Sequence, residues 1–373
     1  MLYRELGRTG LKVSQLGFGA MRLPMTGEGE EERVDDELAI PMIHRAFQAG
    51  VNYIDTAVGY CGRDSQRAVG DALKGWREKV IVSTKNHYYG EDEAEWWKNL
   101  EDSLRLLQVD RIDIYNHHGM RWKTWEESVQ PRVGKWMAKA RDRGLIRHVC
   151  ISFHDDNEAL RKFVDSGYAA SITLQYNLLD RKLADGIAYA HEKGIGVVVM
   201  GPVGGGRLGV ASEVLESVVP GVKRVPELAL RFVLSNPNVT VALSGMSTMQ
   251  QVEENLATAS GPAGLGEDDR AAIDEHLERL KKMADLYCTG CGYCMPCPSE
   301  VAIPKIFERY NRGRVYGLWD SARKAYGELG VIRWDKGKRA DACTECGECE
   351  DKCPQDIPIR EQLKEAHKAL AEG

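Results

Sequence analysis

The stretch VNYIDTAVGYCGRDSQRAVGDALKGWREKVIVSTK (51–85) decides the fold class of this chain. It begins and ends with short runs rich in β-branched and aromatic residues, VNYIDTA (51–57) and KVIVSTK (79–85), and these runs predict two strands. A helical pattern separates them. Strand, helix and strand in that order form a right-handed βαβ unit, whose two strands run parallel in one sheet.

The same alternation of strand and helix patterns continues over residues 35–260. The further strand candidates are LGFGAM (16–21), RIDIYNHH (111–118), LIRHVCISF (145–153), ASITLQYN (170–177), GVVVMGP (196–202) and TVALSG (240–245). Eight βα repeats favour an α/β fold of the (β/α)8 TIM-barrel type over an open doubly wound sheet. The sequence also has no G-x-G-x-x-G between a first strand and a helix, which a Rossmann fold would need.

The composition argues against several classes of protein. The chain has 373 residues, 43 % of them hydrophobic, which is enough for one large domain and a small one. A formal net charge of -6 argues against a nucleic-acid partner. No apolar run is long enough to span a bilayer, and the N-terminal MLYRELGRTGLKV lacks the pattern of a secretory signal. We therefore expect a cytoplasmic protein without a membrane partner.

Eight of the ten cysteines fall in two short runs, whereas Cys61 and Cys150 lie alone. The runs are CTGCGYCMPCP, with Cys288, Cys291, Cys294 and Cys297, and CTECGECEDKCP, with Cys343, Cys346, Cys349 and Cys353. Disulfides would need an oxidising compartment, and zinc sites usually pair two C-x-x-C motifs across a longer gap. Three closely spaced cysteines followed by Cys-Pro are typical of [4Fe–4S] clusters instead.

Two clusters are predicted from the two runs, because in two-cluster ferredoxins the fourth cysteine of a run ligates the other cluster. The first predicted set is Cys288, Cys291, Cys294 and Cys353, and the second is Cys297, Cys343, Cys346 and Cys349. The first run departs from the usual spacing, with two residues instead of three before its last cysteine.

The character of the sequence changes after GLGEDDRAAIDEHLERLKKM (264–283), which has a helical pattern. We therefore predict a barrel domain over residues 1–283 and a small, mainly α-helical ferredoxin-like domain over 284–373. The segment 298–342 holds ten Lys/Arg and six Asp/Glu, a local net charge of +4 in an acidic protein. This segment is either an ordinary solvated surface or a docking face for an acidic ferredoxin- or flavodoxin-like electron carrier.

Candidate catalytic residues follow the predicted barrel strands, where TIM-barrel enzymes place their chemistry. They are Asp55, Tyr60, Lys85 and one of the neighbours His117 and His118. A cation and a carboxylate can tune a tyrosine hydroxyl to deliver a proton while a histidine holds a carbonyl oxygen. Singly, Asp55 could be a helix cap, Tyr60 a packing residue and Lys85 a solvated strand end. Their joint placement favours catalysis.

These residues lie in motifs that resemble the aldo-keto reductase family over about residues 3–260. The matching segments are LGRTGLKVSQLGFGAMRLP (6–24), VNYIDTAVGYCGRDSQRAVGDALKG (51–75), VIVSTK (80–85), LQYN (174–177) and VEENL (252–256). The resemblance implies a catalytic tetrad of Asp55, Tyr60, Lys85 and a histidine. The family pattern D-x-Y-x-x-H, counted from Asp113, identifies that histidine as His118, and strand alternation then turns His117 to the other face.

The resemblance also implies NAD or NADP bound without a Rossmann fold. Ser152 and Gln175 are expected at the nicotinamide carboxamide, the loop from Gly201 to Gly206 along the pyrophosphate, and Glu254 and Asn255 at the adenine. The full set of expected cofactor contacts is Gly19, Met21, Ser152, Gln175, Met200, Gly201, Pro202, Gly204, Gln251, Glu254 and Asn255.

Three positions depart from the family pattern. Met200 stands where many members stack a tyrosine on the nicotinamide ring, and Phe153 stands where an asparagine is usual. Gly245 and Gln251 stand where NADP-preferring members hold a basic pair. The loss of those cations removes charge-assisted bonds to the 2′-phosphate, so the choice between NAD and NADP stays open. A flavin in the space left at Met200 is a further option.

We expect a nicotinamide-dependent oxidoreductase for a small carbonyl or alcohol substrate, with two [4Fe–4S] clusters passing electrons to or from an external carrier. The first alternative is an ordinary carbonyl reductase whose clusters are structural. The second is a nicotinamide-sensing or scaffold protein with little turnover, which would have no need of a complete tetrad.

Overall fold

The computed structural model describes residues 1–261, 265–285, 288, 292–353 and 357–371, without the side chains of residues 30 and 281–285. The strands of these residues are β1 (Tyr3–Glu5), β2 (Lys12–Ser14), β3 (Leu16–Gly19), β4 (Met25–Thr26), β5 (Arg33–Val34), β6 (Tyr53–Asp55), β7 (Ile81–Asn86), β8 (Ile112–Met120), β9 (Ile146–Phe153), β10 (Ser171–Gln175), β11 (Gly196–Met200) and β12 (Val241–Gly245). Eight of them form a closed barrel in the order β10-β11-β12-β3-β6-β7-β8-β9, and all eight barrel pairings are parallel. The predicted TIM barrel and its eight strands are therefore confirmed.

Helices connect the barrel strands, as parallel pairing requires. The helices are α1 (Asp36–Gln48), α2 (Ser65–Ala72), α3 (Glu93–Leu107), α4 (Trp122–Thr124), α5 (Gly134–Asp142), α6 (Asn157–Asp165), α7 (Ala184–Glu192), α8 (Glu213–Glu216), α9 (Val225–Leu234), α10 (Met249–Ser260), α11 (Glu267–Asp285), α12 (Ile303–Tyr316), α13 (Trp319–Glu328) and α14 (Ile359–Ala371). A π-helical segment, Trp125–Val133, joins α4 to α5. Aspartates cap several of these helices: Asp35 accepts hydrogen bonds from the first turn of α1, and Asp156 from that of α6.

The interior of the barrel is filled with apolar side chains rather than open. The antiparallel hairpin β1–β2 contributes Leu6, Leu11 and Val13 to the same buried cluster as the strand residues Tyr53 and Val241. Gly17 is required at this level, because a Cβ there would lie 2.8 Å from the side chains of Val241 and Leu243. The packed interior confines open space for a ligand to the ends of the strands.

The described residues form two compact units: residues 1–204 with 229–264, and residues 205–228 with 265–373. The first unit contains the barrel. The second contains α11 to α14 around a core that includes Ile306, Phe307, Tyr326 and Leu363. In that core, the Tyr326 hydroxyl accepts a hydrogen bond from the Ala340 amide at 3.0 Å. The domain boundary at residues 283 and 284 stays a prediction.

None of the helices in the described residues is both long enough and apolar enough to cross a bilayer.

Candidate active site

Each barrel strand presents one last inward-facing residue at its carboxyl end. Side chains alternate along a strand, and the interior core residues Tyr53, Ile114 and Cys150 show which alternate positions face inward. When this two-residue alternation is continued along every strand, the last inward-facing residues are Gly19, Asp55, Lys85, His118, Ser152, Gln175, Met200 and Gly245. Seven of these eight are residues that the sequence analysis assigned to catalysis or cofactor contact. Their common rim is where TIM-barrel enzymes carry their active sites.

Asp55 and Lys85 form a buried ion pair at this rim. Lys85, 1 % exposed, donates from Nζ to one carboxylate oxygen of Asp55 and to the Thr56 carbonyl at 2.9 Å. The Ser83 hydroxyl donates to the other carboxylate oxygen at 2.8 Å. Burial alone would lower the pKa of Lys85, but Asp55 and Tyr60 outweigh it and raise that pKa. Lys85 is therefore a cation at neutral pH.

Tyr60 lies between this cation and His118. The Lys85 Nζ is 4.7 Å from the centre of the Tyr60 ring, and the His118 ring meets Tyr60 edge-on with ring centres 5.9 Å apart. Burial raises the pKa of Tyr60, and the neighbouring Lys85 opposes that shift. The phenol is protonated at neutral pH, and the cation beside it stabilises the charge that forms when the proton leaves.

The two neighbouring histidines have different surroundings, as strand alternation predicts. Burial and the Lys85 cation lower the pKa of the half-buried His118 to about 3, so its ring is neutral at pH 7. The ring of His117 is buried, and its Nε2 lies 2.9 Å from the Tyr168 hydroxyl oxygen. The pairing of β8 with β9 is irregular between His117 and Met120, and the edge-on contact with the Tyr60 ring shows where His118 lies. His118 therefore lies with Asp55, Tyr60 and Lys85, and His117 does not.

Two residues that the sequence analysis did not single out support the ion pair. Ser83 holds the Asp55 carboxylate, and the Asn116 side-chain amide donates to the Ser83 hydroxyl at 3.1 Å. Both are fully buried. Each lies two positions before a proposed catalytic residue, Lys85 or His118, and thus on the same face of its strand. The two-residue period of the strands was the signal that could have identified them.

Several groups on the next strands around the rim, β9 to β11, suit an amide-bearing ligand. Ser152 is 1 % exposed, and its hydroxyl has no hydrogen-bond partner among the described residues. Beside it in the ring of strands, Gln175 packs against Gly201: a Cβ at Gly201 would lie 2.8 Å from the Gln175 side-chain amide. Gly201 also has a φ of 64°, which favours glycine. Its carbonyl accepts a hydrogen bond from Asn177 at 3.2 Å. A buried, unpaired hydroxyl next to a carboxamide side chain is what a nicotinamide carboxamide would pair with.

The other predicted cofactor contacts lie at the same end of the barrel. Gly19 ends β3, the half-buried Met200 ends β11, Met21 is 57 % exposed, Pro202 and Gly204 follow Gly201, and α10 carries Gln251, Glu254 and Asn255. Asn255 donates to the Ser244 hydroxyl at 3.0 Å, and the Gln251 carbonyl oxygen accepts from the Ser247 amide at 2.8 Å. The contacts of these residues with a nucleotide stay a prediction.

Five cysteines of the second unit line one cavity: Cys294, Cys297, Cys343, Cys346 and Cys349. Four of them are the thiols that the spacing assigns to one cluster, and Cys294 belongs to the other predicted set. Among the described residues, no three Cys, His, Asp or Glu side chains are close enough to hold a single metal ion. A cube of four irons holds its thiolates farther apart than one ion does, and the division of these cysteines between two clusters stays a prediction.

The other predicted set is described only in part. Cys288, Cys294 and Cys353 all lie in or against the core of the second unit. Cys291 falls outside the described residues.

Comparison with known proteins identifies the family. The description "Aldo/keto reductase family" matches residues 15–278. The chain belongs to the aldo/keto reductase family. At the C-terminal end, the description "4Fe-4S dicluster domain" matches residues 287–357, so this aldo/keto reductase has the fused architecture that the cysteine runs predict.

Three similar proteins each match about three quarters of this chain. L-galactose dehydrogenase from Arabidopsis thaliana is 30 % identical, over 75 % of this aldo/keto reductase and 95 % of the relative. NADH-specific methylglyoxal reductase from Escherichia coli is 26 % identical, over 74 % and 98 % of the two chains. Among solved structures, the holo form of the aldo-keto reductase AKR11C1 from Bacillus halodurans is 29 % identical, with a TM-score of 0.64 over 74 % of this chain and 96 % of that one.

Proposed function

We propose that this protein is a nicotinamide-dependent oxidoreductase that interconverts a carbonyl and an alcohol, and that its two [4Fe–4S] clusters exchange electrons with an external carrier. The proposed carbonyl–alcohol chemistry rests on the arrangement of Tyr60, Lys85 and His118 at the barrel rim. The Tyr60 phenol is protonated, the Nζ of the buried Lys85 lies 4.7 Å from its ring centre, and the neutral His118 ring contacts it edge-on. Tyr60 is therefore a proton donor, and the cation that stabilises its phenolate is already in place.

The residues of the rim divide the work of reducing a carbonyl. Tyr60 gives its proton to the substrate oxygen. Lys85 stabilises the phenolate that remains, and Asp55 keeps Lys85 charged and fixed. His118 donates a hydrogen bond from its neutral ring to the substrate oxygen and orients it. In the reverse direction, the Tyr60 phenolate takes the proton from the alcohol.

The nicotinamide would be held by Ser152 and Gln175 at its carboxamide and by the residues from Gly201 onward at its phosphates. When bound, the cofactor supplies the hydride. Gly245 and Gln251 carry no positive charge where a 2′-phosphate would need one, which favours NADH. The relative named for NADH-specific methylglyoxal reduction and the one named for L-galactose oxidation support both a nicotinamide and a small carbonyl or alcohol substrate.

The cysteines of the second unit would hold the clusters in the two sets that the spacing predicts. Such clusters supply one-electron transfer, and two of them together match the two electrons of a hydride. Eight thiolates must stay reduced to bind iron, and this requirement supports a cytoplasmic location. A hydride does not divide readily into single electrons, and a flavin near Met200 would provide the mediator.

The test of the catalytic assignment is the substitution Tyr60→Phe, with Tyr115→Phe as the matched control. Tyr60 is half-buried and Tyr115 is fully buried. Tyr115 lies on the outward face of β8, where its ring packs against Trp96 with ring centres 6.2 Å apart. We expect Tyr60→Phe to lower kcat for aldehyde reduction by about 10²–10⁴-fold, with the Kd for NADH almost unchanged. Tyr115→Phe is expected to retain turnover. Near-normal kcat in Tyr60→Phe would remove Tyr60 from the mechanism.

A further inference from the structure

The two most exposed large hydrophobic side chains among the described residues lie together in one loop of the second unit. Trp334 is 81 % exposed and Val331 is 78 % exposed. Three exposed cations, Arg333, Lys336 and Arg339, belong to the same loop. We call these five residues the Trp334 patch. Tryptophan and arginine are the residues most enriched at the energetic centres of protein interfaces, whereas an exposed tryptophan adds nothing to the stability of the unit that carries it.

The loop holds these side chains outward through a set of internal bonds. The Gly330 amide donates to the Asp335 carbonyl at 2.8 Å, and the Asp335 amide donates to the Ile332 carbonyl at 3.0 Å. The Asp335 carboxylate forms ion pairs with Lys305, at 3.0 Å, and with Arg309. The exposure of Trp334 is therefore a property of a braced turn, and a braced surface loses little entropy when a partner binds.

The same ion pairs leave the patch with a positive charge. Asp335 is the only acidic residue between 330 and 340, and its carboxylate is engaged by Lys305 and Arg309. Arg333, Lys336 and Arg339 have no ion pair within the described part of the chain. An apolar centre bordered by three unpaired cations is complementary to an acidic surface.

The patch is also joined directly to both cysteine runs. The backbone of residue 338 pairs with that of residues 300–302: the Ala302 amide donates to the Lys338 carbonyl at 3.0 Å, and the Lys338 amide to the Glu300 carbonyl at 2.9 Å. The Glu300 amide in turn donates to the Cys297 carbonyl at 2.9 Å. On the other side, Cys343 follows Arg339 by four residues. Along the sequence the patch thus lies between Cys297 and Cys343, two of the five cysteines that line the same cavity.

We infer that the Trp334 patch is the docking surface for an acidic ferredoxin. The inference rests on the proposed exchange of electrons with an external carrier, and it specifies where that carrier binds. A partner seated on Trp334 would contact the segment of the chain that links Cys297 to Cys343, two of the proposed cluster ligands. The surface is small, so the complex is weak and salt-dependent, as transient electron-transfer complexes are.

The test measures binding rather than turnover. The full-length protein with its clusters is titrated anaerobically with a purified acidic two-cluster ferredoxin, by calorimetry, at low and high ionic strength. Trp334→Ala is expected to raise Kd at least about 10-fold with the same salt dependence. The double variant Arg333→Glu/Lys336→Glu is expected to raise Kd at low salt by a similar factor and to flatten the salt dependence. The charge-matched control is the double variant Lys12→Glu/Lys98→Glu, at exposed positions on β2 and α3 of the barrel unit, which should change Kd less than about twofold.

Three outcomes would overturn the inference, and they have different meanings. Wild-type affinity in both patch variants would mean that the carrier binds elsewhere, with the proposed function intact. No binding by the wild-type protein would remove the external ferredoxin from the proposed function as well. Dimerisation of the wild-type protein in sedimentation experiments, abolished by Trp334→Ala, would assign the patch to a second copy of this chain. Iron content and the visible spectrum of each variant show that the unit is folded, since the exposed Trp334 side chain is not part of its core.

Discussion

The buried pair of Asp55 and Lys85 leads to the sharpest prediction about the barrel. Lys85→Met removes the cation and keeps an unbranched stem of similar size. Asp55, 4 % exposed, would then be a buried carboxylate with the Ser83 hydroxyl but no counter-ion. Removal of one partner of a buried ion pair lowers the free energy of unfolding by about 3–5 kcal/mol. The whole free energy of unfolding of a domain is only about 5–15 kcal/mol, so this loss is a large share of it. We expect the apparent Tm of the barrel to fall by on the order of 10 °C.

The same substitution should also slow the chemistry. Two unit charges about 5 Å apart interact by about 3 kcal/mol at an effective dielectric constant of about 20, and the Lys85 Nζ lies 4.7 Å from the Tyr60 ring centre. Loss of that interaction raises the free energy of the Tyr60 phenolate by the equivalent of about two pKa units. We therefore expect kcat for carbonyl reduction to fall about 100-fold.

A double variant separates the two effects. Asp55→Asn/Lys85→Met removes both charges, so no buried charge is left unpaired, and most of the lost stability should return. The Tyr60 phenolate would still lack its cation, so activity should stay low. The assays are thermal unfolding by circular dichroism and NADH-dependent reduction of a panel of aldehydes. A Lys85→Met protein as stable as the wild type, or a double variant that regains turnover, would refute the reasoning.

Three further predictions concern the cofactors and the pH dependence. The anaerobically purified protein should be brown and contain about eight irons per chain; stoichiometric zinc would contradict the cluster assignment. NADH should bind at least as tightly as NADPH, measured as the ratio of the two Kd values at fixed ionic strength; a strong preference for NADPH would point to Arg22, whose stem lies against Gly245. Titration of His118 and Tyr60 should leave the rate of reduction unchanged from about pH 5 to 8. The pKa of His118 is lowered to about 3, and that of Tyr60 is raised above its ordinary value of about 10, so neither group titrates in this range. A rate that falls as the pH rises through 6–7 would mean that a protonated histidine takes part.

The barrel and its rim were predictable because they depend on local patterns. Strand and helix periods give eight βα units, and the carboxyl ends of parallel strands meet at one rim. Strand alternation alone separates His118 from His117 once one inward residue is known. The cysteine spacing is equally local, and it predicts that Cys297 shares a cluster with the second run, while Cys294 lines the same cavity as these residues.

Features that depend on tertiary contacts were not predictable. The packing of residues 205–228 with the helices of the second unit follows from no local pattern. The support that Asn116 gives to Ser83 depends on which strands are neighbours in the barrel. The exposure of Trp334 depends on the ion pairs of Asp335 with two residues of α12, far away in the sequence. A tryptophan in such a loop would otherwise be expected in a core.

The central claim is that the clusters and the barrel exchange electrons during turnover. The most direct measurement is substrate reduction by protein whose clusters have been reduced with dithionite, which is then removed, in the absence of any nicotinamide and repeated with added flavin. The account predicts that, with flavin added as the hydride donor, a substrate reduced with NADH is also reduced here, that the clusters are reoxidised in step, and that Tyr60→Phe abolishes both. Clusters that remain reduced in the presence of substrate, and that remain oxidised when NADH is added, would show that they are structural and would contradict the account.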